Sequence, residues 1–119
     1  MNFRGRIYAR DSAGSLQFGI SNTSTTTYSS TNFSYNTTYL LVVHYNGTTG
    51  ATDLHVLTSV PASEPAPLLS ASDATPLTTM EAIAIRQASG GPAAVIDGIR
   101  VGTTWADTLP VQLMKLQAE

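Results

Sequence analysis

Hydrophobic and polar positions alternate along most of this chain with the period of two that belongs to β-strands. Residues 3–10 set aromatic and aliphatic side chains against arginines and small residues. Asp11, Ser12, Ala13 and Gly14 follow as a turn. The chain returns through residues 15–21, with Leu16, Phe18 and Ile20 on one face and Gln17 and Gly19 on the other. The two runs predict an antiparallel hairpin. Residues 22–36 are dominated by Ser, Thr and Asn, with Tyr28, Phe33 and Tyr35 spaced through them. That stretch reads as a surface loop pinned by its aromatic rings, with an edge strand somewhere inside.

Residues 38–45 form the most apolar segment and predict a central strand buried on both faces. A turn containing Asn46 and Gly47 leads to a partner strand over residues 52–59. Pro61, Pro65, Pro67 and Pro76 exclude a central strand from residues 60–79, which predict an extended connection between sheets. Two more strands are expected over residues 81–87 and 94–101, joined around Gly90, Gly91 and Pro92. The second leads into Trp105, the only tryptophan, as a buried late strand that Gly98 and Gly102 bend and Trp105 closes onto the core. Residues 111–119 are the one helix candidate. The expectation is an all-β chain folded as an antiparallel two-sheet β-sandwich, with a module over residues 1–109 and a tail over 110–119.

At 119 residues the chain is long enough for one core. Only 12% of residues are charged, against about 25% in typical soluble proteins, and Ser plus Thr supply about a quarter of the chain. Such uncharged, β-branched surfaces suit exposed sheet faces. A net charge of −2 offers no basic stripe for phosphates, so nucleic acid is not expected as a partner. There is no cysteine, hence no disulfide or thiolate metal site, and no apolar run reaches the roughly 20 residues of a membrane span. The first residues lead directly into strand-like alternation rather than a signal peptide. Export would therefore make the chain a fragment of a longer precursor or a mature form with an added Met.

Residues 4–20, 38–45, 64–66, 83–87 and 96–105 occur in an order that resembles bacterial concanavalin A-like, laminin-G-like modules. The run Asp97-Gly98-Ile99-Arg100-Val101-Gly102-Thr103-Thr104-Trp105 is its most specific part. The resemblance implies a jelly roll appended to a secreted, extracellular multidomain protein. It also implies a truncation, since such modules have further strands before the first hairpin. Six or seven strands, where a jelly roll has eight, would leave sheet edges and an apolar face open. A homo-oligomer, specifically a dimer, is the expected consequence.

Candidate chemistry is sparse. Glycoside hydrolysis needs two carboxylates about 5–9.5 Å apart, and no Glu here has an acid two positions away along its strand, so an enzyme is not expected. His44 and His55 fall on facing strands of one hairpin, but no third ligand is evident in the sequence and a slip of one residue would separate their faces, so no metal site is assigned. Calcium, which the laminin-G resemblance brings in, would have to draw on Asp53, Asp73 and Asp107, dispersed along the chain. Polysaccharide binding would use exposed aromatics and amides: Tyr28, Phe33, Tyr35, Asn32 and Asn36 are the candidates, with Asn22 beside them. The expected function is a non-catalytic accessory module that binds carbohydrate or a cell-surface polymer. The alternative is a structural module that completes its sheets by self-assembly.

Overall fold

A computed structural model of the chain describes residues 3–73 and 75–110; the tail over 111–119, with its helix candidate, lies outside them. The described residues form six strands and one short helix. Strands β1 (Arg6–Ser12), β2 (Ser15–Ser21) and β3 (Thr27–Tyr28) make one antiparallel sheet in the order β1-β2-β3. Strands β4 (Leu40–Tyr45), β5 (Thr52–Leu57) and β6 (Leu69–Ala71) make a second, in the order β4-β5-β6. The helix α1 spans Trp105–Thr108. The protein is therefore β-rich, with two small antiparallel sheets. No described helix is long and apolar enough to cross a membrane.

The β1–β2 hairpin closes where Ser12 pairs with Ser15, leaving Ala13 and Gly14 as a two-residue loop with φ of 51° and 83°. Positive φ at both loop residues matches the right-handed twist of the flanking strands, and the Asp11 carboxylate accepts from Gly14 N–H at 3.1 Å to hold it. Phe18 and Ile20 turn inward, 4% and 1% exposed. The polar stretch after β2 runs back alongside it: Ser29 N–H donates to the Phe18 carbonyl, and Leu16 and Phe33 exchange both backbone bonds. The edge strand expected inside this stretch is β3.

In the second sheet the loop between β4 and β5 is organised by Asn46. Its side-chain oxygen accepts from Thr48 and Thr49 N–H at 2.9 and 3.1 Å, and its carbonyl accepts from Gly50 N–H. The expected hairpin forms, but β4 is an edge strand and β5 is the central one. Leu41 on β4 is 39% exposed, whereas Thr52, Leu54 and His55 on β5 are fully buried. Apolarity along residues 38–45 does not make that strand central, because β6 reaches β5 and nothing among the described residues pairs with the far side of β4. The connection over residues 60–79 carries β6 between Pro67 and Pro76, where an edge position costs no ladder hydrogen bond.

The sheets meet over Phe18, Ile20 and Leu54, joined by partly buried Leu16, Phe33, Tyr39, Val43, Val56 and Leu69. Phe33 and Tyr39 stand edge-on to Phe18, with centroids 5.1 and 5.9 Å away, and enlarge this small core. A buried polar clamp lies beside it. Asn22 donates to the Gly50 carbonyl at 3.1 Å and to Thr52 Oγ1 at 2.7 Å, while its oxygen accepts from Gly5 N–H and from the Thr52 hydroxyl. One amide thereby joins the end of β2 to the start of β5, with its bonding capacity almost filled. A second strap joins Arg4 to Asp73, whose backbone lies against Gly50.

Residues 81–87 and 94–101 depart from expectation. Neither forms a strand, and their apolar side chains are exposed: Ile83 59%, Ile85 63%, Val95 99%, Ile99 56% and Val101 74%. The alternation is present, but alternation makes a strand only when a neighbouring strand supplies the ladder. Both sheets close at three strands without these segments. The segment 96–101 is accordingly not a buried late strand, and Trp105 lies against the outer face of the second sheet rather than in the main core.

Two outcomes follow from the clamp and the strap. Replacing Asn22 by Ala leaves Gly5 N–H, the Gly50 carbonyl and the Thr52 hydroxyl without that partner, so Asn22→Ala is expected to cost about 2–4 kcal/mol by urea unfolding, well above a surface change. For Asp73, the Thr75 N–H bond is the main influence holding the carboxyl below its ordinary value; burial opposes it and Arg4 assists it. A lowered folded-state pKa gives stabilisation that is present above about pH 4 and lost as pH falls through the folded value. Urea midpoints measured from neutral pH downward should fall less steeply below about pH 4 in Asp73→Asn than in the parent.

Candidate functional site

The β4–β5 register decides what the outer face of the second sheet carries. His44 pairs with Asp53 and Val42 with His55. Directly opposite residues share a face, as do residues two apart on one strand, so all four side chains project together. His44 and His55 are diagonal neighbours, and the one-residue slip that would separate them does not occur. Their carboxylate partner comes from the proline-rich connection. Glu64 Oε1 lies 2.9 Å from His44 Nδ1 and 3.0 Å from His55 Nε2, accepting a hydrogen bond from each ring.

The exposures of the three groups differ in a useful way. The His44 side chain is half exposed, Glu64 about one-third, and His55 not at all. The His44 hydrogen bond is the largest influence lowering the Glu64 pKa, partial burial raises it, and the His55 bond lowers it further. Asp53 accepts from the Ser70 hydroxyl on β6 at 2.5 Å, which fixes one carboxylate oxygen and leaves the other free of hydrogen bonds among the described residues. His44, Asp53 and Glu64 each offer one ligand-type atom within 4.8 Å of the other two.

Trp105 closes the buried side. Its ring meets His55 edge-on with centroids 5.1 Å apart. The turn that delivers it is short: Thr104, extended at φ −129°, accepts from Asp107 N–H through its hydroxyl at 3.2 Å and starts a single helical turn. His55 Nδ1 and Trp105 Nε1 are both buried without a hydrogen-bond partner among the described residues. Between this turn and the free edge of β4 lies a cavity of about 310 Å³, onto which His44, Glu64, Thr103, Thr104 and Trp105 open.

The residues expected to bind carbohydrate are divided by the structure. Tyr28 and Asn32 lie on the outer face of the first sheet, where Arg10 stacks 3.8 Å over the Tyr28 ring and Gln17 links Arg10 to Asn32. Gly19 leaves room for that ring, since a Cβ there would lie 2.8 Å from Tyr28 Cδ1. Phe33 instead packs in the aromatic core cluster. Tyr35 bonds Asp11, whose side chain belongs to the opposite face; partial burial and that bond raise the phenol pKa. Asn36 occupies an exposed left-handed turn at φ 54°, and Asn22 is buried in the clamp. Asp53, Asp73 and Asp107 go to three separate settings: Ser70, Arg4 with Thr75, and the α1 turn.

No protein-family model, curated protein or solved structure matches this chain. The functional reading therefore rests on the geometry.

The Trp105 turn depends on Gly102, where an added Cβ would stand 2.8 Å from Asp107 Cβ and 3.3 Å from its carbonyl carbon. Gly102→Ala is expected to lift the turn from His55 and shift Trp105 fluorescence to the red with little change in the urea midpoint. An unshifted spectrum in the folded variant would show that the turn does not depend on this close approach.

Proposed function

We propose that this chain is a non-catalytic, extracellular β-sandwich module that completes its sheets by pairing with a second copy of itself. The observation that carries the reading is the segment 80–101. It has the alternation of two strands, exposes Met80, Ile83, Ile85, Val95, Ile96, Ile99 and Val101, and has no ladder partner within the described chain. Two added strands would bring the count from six to the eight of a jelly roll. The edge to receive one is at hand: β4 is unpaired along one side among the described residues and holds no Lys, Arg, Asp, Glu or Pro to block addition.

A second reading has its own support. Tyr28, Arg10, Gln17 and Asn32 form a continuous aromatic, guanidinium and amide surface on the first sheet, the chemistry of a polysaccharide platform. Affinity electrophoresis against neutral polysaccharides, with Tyr28→Ala as comparison, tests it; unretarded migration in every gel would exclude it.

For the assembly itself, sedimentation velocity at tens of micromolar protein should give a dimer, and Ile85→Lys with Ile99→Lys should give a folded monomer. A parent chain that sediments as a monomer and unfolds cooperatively would overturn the proposal.

A further inference from the structure

We propose that His44, Asp53 and Glu64 bind one divalent transition-metal ion of the zinc class, with His55 acting as a positioning residue that holds Glu64 from the buried side. All four residues belong to one chain, so ion binding is measured on the chain whatever its state of assembly.

The geometry supplies the argument. Three side chains from β4, β5 and the following connection bring a nitrogen and two carboxylate oxygens within 4.8 Å of one another. Ligands about 2.1 Å from a tetrahedral centre stand roughly 3.4 Å apart, so only small rotations are needed to close on an ion. Half-exposed His44 and partly exposed Glu64 have the freedom to make them. Two of the three ligands are already braced by further partners. Ser70 donates to one Asp53 oxygen, and His55 Nε2 donates to Glu64 Oε1, leaving the second oxygen of each carboxylate for the ion. The His44 ligand is its unprotonated ring nitrogen: either Nε2, with the Nδ1–H bond to Glu64 kept, or Nδ1, with that bond given up and the proton moved to Nε2.

His55 braces the cluster from its buried side. The His55 side chain is wholly buried and aimed at this carboxylate, and its other ring nitrogen has no partner among the described residues. Beside the cluster, the 310 Å³ cavity gives room for the water or small ligand that completes a coordination shell. The donor set also indicates the ion. One imidazole with two carboxylates and no sulfur suits zinc or its first-row neighbours, whereas calcium asks for about six to eight oxygens.

The test is a titration of the tag-free chain with zinc chloride, followed by calorimetry and by fluorescence of Trp105, whose ring stands 5.1 Å from that of His55. Saturable binding of one ion per chain with a Trp105 response is expected. His44→Ala and Asp53→Asn should each weaken it by roughly tenfold or more. His44 is half exposed, and the amide oxygen that Asp53→Asn introduces can still accept from Ser70, so at least one variant retains the fold for comparison. No saturable binding up to millimolar zinc would overturn the site. So would variants that bind as tightly as the parent, or calcium binding as tight as zinc.

Discussion

The buried bond between Asn22 and Thr52 is the constraint on which the arrangement rests. It lies where the first sheet ends and the second begins its central strand, and it reaches backbone groups of Gly5 and Gly50 as well. Three buried apolar residues with partly buried neighbours would hold two three-stranded sheets together only loosely. Apolar contacts are non-directional, so they leave the relative position of the sheets open. A satisfied polar clamp specifies one position, since any sliding leaves buried donors and acceptors unpaired. The Arg4–Asp73 strap acts at the same corner, against Gly50.

That anchoring makes β5 the strand buried on both faces. Leu54 faces the first sheet, and His55 faces outward into the shelter of Glu64 and Trp105. The polar cluster on the outer face follows from this placement. A histidine on the central strand has to find a polar partner once it is covered, and the proline-rich connection brings Glu64 to it. The same connection then leads into β6, whose Ser70 braces Asp53. Core and cluster are two sides of one short sheet.

Local signals made both hairpins legible in the sequence. Strict alternation through Leu16, Phe18 and Ile20, with Ala13-Gly14 between the strands, allows one pairing. Asn46 and Gly50 likewise mark the second turn. The cluster was half legible. His44 and His55 could be placed on facing strands, but their common face depends on register, and Glu64 arrives from a segment with no periodic pattern. Asn22 resembled its surface-exposed neighbours in a Ser/Thr/Asn stretch, and only the approach of Thr52, 30 residues on, buries it. Residues 81–87 and 94–101 misled for a different reason. A strand pattern records what a segment needs beside it, and the described chain supplies no such neighbour.

Hydrogen–deuterium exchange across residues 81–101, read at high and low protein concentration, tests the central claim most directly. If these segments are strands awaiting a second chain, their amides will be protected in concentrated solution and exchange freely on dilution. The β2 and β5 amides will stay protected throughout. Rapid exchange of 81–101 at every concentration, in a chain whose β2 and β5 amides are protected, would contradict the account.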